Sequence, residues 1–321
     1  MMKNMNPIKE YLLENASDPV PRFLLLKEIC KESVSSSSYL NSYAKIKESK
    51  WYQQLAGEQM KNGSWGRFHT QDTKDKTKRK FVTTEQALRR ARELSLDKDD
   101  IIISKSIKLM ERYLRGEEKW TDTKEKHYGF EIAFKALIAA NLSLFDPYHP
   151  LINSIREICA KNISRAFSIG YFQEEIWEQE NLRDNEILLR AYMIYPLWLL
   201  QCVKCMDDTI QRQYLNYIWD REKGIYYISN GPPSRIQFLE SKEFTTWLSC
   251  LENLSGFSLF PEFVNCQIVP HLYSEINRLM QGEVVLPPAH PISGHYSESW
   301  NSKNARKNDM ILRIARLLVK C

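Results

Sequence analysis

Two copies of one helical-hairpin pattern sit end to end in the chain, and they restrict its fold more than any other feature. "TEQALRRARELSL" (84–96) is followed, after a short polar break, by "DIIISKSIKLMERYL" (100–114). "FEIAFKALIAANLSL" (130–144) is followed, after "FDPYH", by "PLINSIREICAKNISRAF" (150–167). The two "LSL" segments hold the same place in their units, and "SKSI" and "NSI" follow at similar distances. The period is a little under fifty residues. Apolar residues recur at three and four positions through most of the chain and β-branched alternation is almost absent, so the spacing predicts an all-α protein.

Extended along the chain, the pattern predicts six inner helices: 21–30, 84–96, 130–144, 185–202, 244–254 and 309–319. More amphipathic outer helices alternate with them, at 42–59, 100–114, 150–167, 208–219 and 261–280. Six inner helices are enough to close a ring, so the expected architecture is an (α/α)6 toroid of helical hairpins in a single domain, 1–321. Pro196 should kink or split the fourth inner helix at about Tyr195. "KGIYYISNGPP" (223–233) is expected to be a small extended excursion. No Pro- or Ser-rich linker divides the repeats, and "SSSS" (35–38) fits a loop.

The connections are unequal. Those from inner to outer helix are short, such as "DKD" at Asp97, whereas those from outer to inner helix are long: 63–83, 116–129, 168–184, 220–243 and 282–308. In a ring of hairpins the long ones emerge on one rim, and long ordered loops usually carry function. These hold Trp65, Phe68, His69, Trp120, His127, Tyr171, Trp177, Tyr227, His290, His295 and Trp300, among other aromatics. Such rings either pack on one another to cap the ring or line a ligand site.

The same rim is expected to carry an acid in the first turn of an inner helix and a base four residues on: Glu85 and Arg89, Glu131 and Lys135, Glu186 and Arg190, Asp309 and Arg313. On buried helices these charges must pair with one another or face a central cavity.

One stretch carries a family resemblance. "QMKNGSWG", Gln59 to Gly66, resembles the QW repeat of squalene-hopene cyclases and related terpenoid cyclases. In that family a Gln ends an outer helix and bridges to a Gly-Ser-Trp turn. The motif match covers one short segment. The hairpin pattern covers nearly the whole chain and is also that of protein prenyltransferase β-subunits. The resemblance implies an α/α toroid of the short bacterial type with prenyltransferase and squalene-oxidase-type repeats, and no assigned reaction. It gives Gln59, Gly63 and Trp65 a structural role. Arg67, His69 and Asp72, in the continuation "RFHTQD", fall outside the motif and are candidate ligand groups.

The family's chemistry does not transfer residue by residue. "DKDD" (97–100) matches the letters of a cyclase DxDD motif but sits in a short connection, where Asp99 or Asp100 suits a helix N-cap. "MDDT" (206–209) lacks the spacing of a metal-binding DDxxD. No Asp-x-Cys pair with a matching His suggests zinc, and "CVKC" (202–205) has no second pair at zinc-ribbon spacing. No Gly-rich phosphate loop, Ser-His-Asp order or HExxH motif is present. No metal and no cofactor are expected.

Composition narrows the classes further. At 321 residues and 43% hydrophobic content the chain can bury a substantial core. Neither a signal-peptide stretch nor a long uncharged apolar window appears, so a cytoplasmic protein with no transmembrane segment is expected. Seven scattered Cys fit reduced thiols. The net charge of +5 includes one dense basic run, "KDKTKRK" (74–80), which Asp75 interrupts and no aromatic interleaves, so no nucleic-acid partner is expected.

Three functions fit these features. The first is an enzyme or binder of an isoprenoid or similar lipid-like small molecule held in the central cavity, with Arg groups receiving a diphosphate. The second is a carbohydrate-active (α/α)6 enzyme, a glycosidase or lyase, with two of Glu85, Glu131, Glu186 and Asp309 at about 5–10 Å. The third is a non-catalytic binding or scaffold protein with a filled ring. The candidate ligand-binding residues are Arg67, His69, Asp72, Glu85, Arg89, Glu186, Arg190, Trp300, Asp309 and Arg313.

Overall fold

The computed structural model describes residues 5–72, 74–75, 77–119, 130–184, 189–282, 285–287 and 294–321, except the side chains of 130–132 and 181–184. The protein is all-α. Among the described residues every regular element is a helix, and the one β contact is an isolated parallel bridge between Met193 and Tyr226.

The chain opens with α1 (Asn6–Asn15) and α2 (Pro19–Leu24), which runs into a π-helical turn, Leu25–Ile29. Then come α3 (Ser37–Glu48), α4 (Lys50–Glu58), α5 (Thr84–Glu93), α6 (Ile101–Leu114) and α7 (Phe130–Ser143). A 3-10 turn, Pro150–Ile152, leads into α8 (Asn153–Ala166), followed by α9 (Glu174–Asp184), α10 (Ile194–Leu200) and α11 (Asp208–Trp219). The chain ends with α12 (Phe244–Leu254), α13 (Phe260–Val264), α14 (Ile268–Gln281) and α15 (Lys303–Leu318).

Side-chain caps fix the starts of α3, α4, α5, α6, α11 and α15. Thr83 accepts from Gln86 N at α5, Asp100 from Ile102 N at α6, and Ser302 from Ala305 N at α15. The apolar helices α7, α10 and α12 are buried over most of their length. All seven residues of α10 are buried, whereas α6 leaves Ile101 and Lys105 exposed. Several deep helices touch in sequence: α10 packs on α7 and α12, α12 on α15, and α15 on the π turn. The last helix also packs on α1, so the two ends of the described chain meet.

Several expected elements differ, each for a local reason. The helix expected at 42–59 is two, because Ser49 turns extended (φ −62°, ψ 146°) and caps α4. The helix expected at 185–202 is described only as α10, which begins at Ile194; this puts Pro196 in a first turn, where its missing N–H costs nothing. The helix expected at 261–280 breaks between α13 and α14. The loop expected at 168–184 contains α9, and α1 was not expected at all. In place of an extended excursion, 223–233 is a series of turns. Finally, α15 starts at Lys303, so Asp309 sits in its second turn and not its first.

The Gln59 to Trp65 turn staples two hairpins. Gln59 Nε2 donates to Gly63 O at 3.2 Å, to Ile102 O at 2.8 Å and to Ser106 Oγ at 3.1 Å. Trp65, fully buried, donates from Nε1 to Leu55 O at 2.8 Å. Gly63 has φ +94°, and a Cβ there would stand 2.4 Å from the carbonyl oxygen of Lys105.

Candidate functional site

A cavity of about 380 Å³ opens between α5, α10, α12 and α15. Small-molecule sites span about 300–1,000 Å³. All four helices are among those expected to be inner ones. Ile194 and Trp198 of α10, Tyr227, Ile228 and Leu317 form the apolar part of its wall.

The rest of the wall is basic. Arg89, Arg90 and Arg92 reach it from α5, and Arg313, Arg316 and Lys320 from α15 and the residues after it. The acids in the wall are Glu93 and Glu252. Burying so many guanidiniums requires partners, and most have one. Arg313 forks onto Glu252, Nε to Oε1 at 2.7 Å and Nη2 to Oε2 at 2.6 Å, and donates to Ser249 Oγ at 2.7 Å. Arg316 forks onto Glu28 on the π turn, and Arg90 pairs with Glu93 at 2.8 Å. Burial lowers the pKa of Arg313 and Arg316, but the carboxylate partners outweigh it and raise both.

Arg89 leads to a second cluster behind the wall. Its Nη2 donates to Glu85 Oε1 at 3.0 Å, and its guanidinium lies 5.2 Å from the centre of the Trp198 ring. His69 Nδ1 donates to Glu85 Oε2 at 2.7 Å, and the Tyr195 hydroxyl lies 3.3 Å from the same nitrogen. Burial alone would raise the Glu85 pKa; the bonds from His69 and Arg89 lower it overall, so Glu85 is a buried carboxylate. Burial, with Glu85 beside it, drives the Tyr195 pKa well above 10.0. The Tyr227 ring packs edge-on against His69 and Tyr195 and links this cluster to the cavity.

No family model, curated protein or solved structure matches this chain.

The candidate residues therefore divide. Arg89 and Arg313 line the cavity, and Glu85 and His69 stand behind Arg89. Asp309 does not pair with Arg313. It is buried and accepts from Tyr296 N and from Ser297 N and Oγ, which orders a stretch whose Tyr296 reaches the cavity. Arg67 and Asp72 pair with each other at 3.3 Å within their loop. Arg190 binds Glu174 and Glu178 of α9, and Trp300 stacks on His295 with ring centres 4.2 Å apart. Glu186, Trp120, His127 and His290 lie outside the described residues, as does the side chain of Glu131. Among the described residues no helix is long and apolar enough to cross a membrane, and no group of three or more His, Cys, Asp or Glu is placed to hold a metal.

Arg92, Arg316 and Lys320 were missed by the sequence reading, although a signal existed. Arg313 and Arg316 are the basic residues of the otherwise apolar stretch 310–319, with Lys320 just beyond it, and 85, 89 and 92 share a face of α5.

Proposed function

We propose that this protein is a cytoplasmic α/α toroid of the terpenoid cyclase and prenyltransferase-like type that binds an anionic isoprenoid or similar lipid-like molecule in its central cavity. One observation carries the reading: a cavity of ligand size joins an aromatic and aliphatic wall to a converging set of arginines. An amphiphile with an acidic head has a use for both halves. Packing of α7, α10, α12, α15 and the π turn in succession and contact between α1 and α15 support the ring, and the bond from Gln59 to the Gly63 carbonyl agrees with the Gln bridge that the resemblance implies.

A carbohydrate-active site needs two working carboxylates, and Glu93 and Glu252 in this wall are each held by an arginine. A filled scaffold ring would leave no such cavity. Native mass spectrometry of the purified protein with prenyl diphosphates and with oligosaccharides, followed by organic extraction, tests the reading. It is supported by a retained prenyl diphosphate or a co-purified lipid, and rejected by retention of the sugar alone or of nothing.

A further inference from the structure

Charge pairing around the cavity leaves a remainder. Arg89 is matched by Glu85, Arg90 by Glu93, Arg313 by Glu252 and Arg316 by Glu28. Arg92 makes no side-chain hydrogen bond or ion pair with any described residue. Among the described residues Lys320 meets only a hydroxyl, Ser255 Oγ at 3.4 Å. Among the described residues, two positive charges therefore face the cavity without an acid of their own, beside the Arg316 guanidinium.

We infer that Arg92 and Lys320, backed by Arg316, form a subsite for a doubly charged phosphoryl group, either a phosphate monoester or the terminal phosphate of a diphosphate. The inference rests on the reading of this cavity as a ligand site and adds the charge and place of the ligand's head. A monocarboxylate would neutralise only half of the remainder. A dianion neutralises it all, and a guanidinium offers paired donors that match phosphate oxygens. The cluster costs the free protein stability. Burial lowers the pKa of Arg92, and partial desolvation at the cavity mouth together with the charges of Arg92 and Arg316 lowers that of Lys320, whose side chain is otherwise exposed. Glu252 and Glu28 also act on both groups, but each is already forked by another arginine.

The test is calorimetric titration with inorganic phosphate and pyrophosphate at constant ionic strength, with acetate as control, alongside thermal melting. The wild type is expected to bind pyrophosphate at one site and to ignore acetate. Arg92→Gln and Lys320→Gln should each weaken pyrophosphate binding about tenfold or more, the loss of one charge-assisted contact. Without phosphate, Arg92→Gln should melt higher than the wild type, because it relieves repulsion, whereas loss of a structural arginine would lower the melting temperature. Arg92→Lys, which keeps the charge, should retain part of the binding. The inference fails if neither phosphate nor pyrophosphate binds saturably, if Arg92→Gln binds as tightly as the wild type, or if Arg92→Gln melts lower. If pyrophosphate binds by this pattern and a prenyl tail adds no affinity, the subsite stands and the isoprenoid reading alone falls.

Discussion

Arg316, in the last turn of the last helix, donates from Nε and Nη2 to the two carboxylate oxygens of Glu28, at 2.8 and 2.7 Å, and so bolts the end of the chain to its beginning. The pair also supports the cavity. Glu28 accepts from Ser95 Oγ at 2.6 Å, beyond the end of α5, while Arg316 donates to Glu93 O at 3.2 Å. One ion pair thus fixes α15, the π turn and α5 around the basic wall.

Glu28 should make the protein acid-sensitive. Its burial raises the pKa, yet Arg316 and Ser95 bring it down to about 2 from 4.5. A depressed carboxylate stabilises the fold fully above its unfolded value, and this contribution is lost as pH falls from about 4.5 towards 2. The shift corresponds to about 3 kcal/mol. Urea unfolding of Glu28→Gln against wild type should show a gap of that order at pH 7 that narrows towards pH 3. A gap independent of pH would contradict the assignment.

Asp309 should act with the opposite sign. Burial outweighs the bonds from Ser297 and Tyr296 and raises its pKa to about 6 from 3.8. The folded protein then holds a proton that the unfolded chain has released, so stability falls as pH rises from about 4 to about 6. The change is of order 3 kcal/mol. Asp309→Asn should lack this slope in urea titrations at pH 4, 5, 6 and 7, and an unchanged slope would place the titrating group elsewhere.

Gly63→Ala tests the hairpin staple. The new Cβ would meet the Lys105 carbonyl in a backbone that already sits at φ +94°. The expected cost is about 3 kcal/mol, from strain and displacement of α6. Thermal melting measures it, and a neutral result would show that the turn is looser than its geometry.

Glu85→Gln removes the shared partner of His69 and Arg89. The Arg89 side chain is 39% exposed, so water takes up part of what the carboxylate supplied, and the expected cost is about 1–2 kcal/mol in urea unfolding, with helix content unchanged by circular dichroism. Stability within a few tenths of wild type would mean that the cluster is dispensable to the fold.

The helices were legible in the sequence because their signal is periodic and local. Apolar spacing marked α5, α6, α8 and α12, and "DKDD" resolved into an N-cap at Asp100. What the sequence hid depended on partners remote along the chain. Asp309 and Arg313 stand four apart and invite pairing, but Ser297 and Glu252, brought in by the fold, take them instead. Helix breaks were obscured for a different reason. Ser49 and Pro196 are each compatible with a helix start or a kink, and only packing decides between them. Arg92 is the sharpest case, because its lack of an ion-pair partner among the described residues is a property of the folded arrangement and of no local pattern.

The most direct test of the account is a crystal structure of the protein grown with farnesyl diphosphate. The account predicts density with its head between Arg92, Arg316 and Lys320 and its tail along Trp198, Ile194 and Tyr227. Density elsewhere, or an empty cavity at saturating ligand, would contradict it.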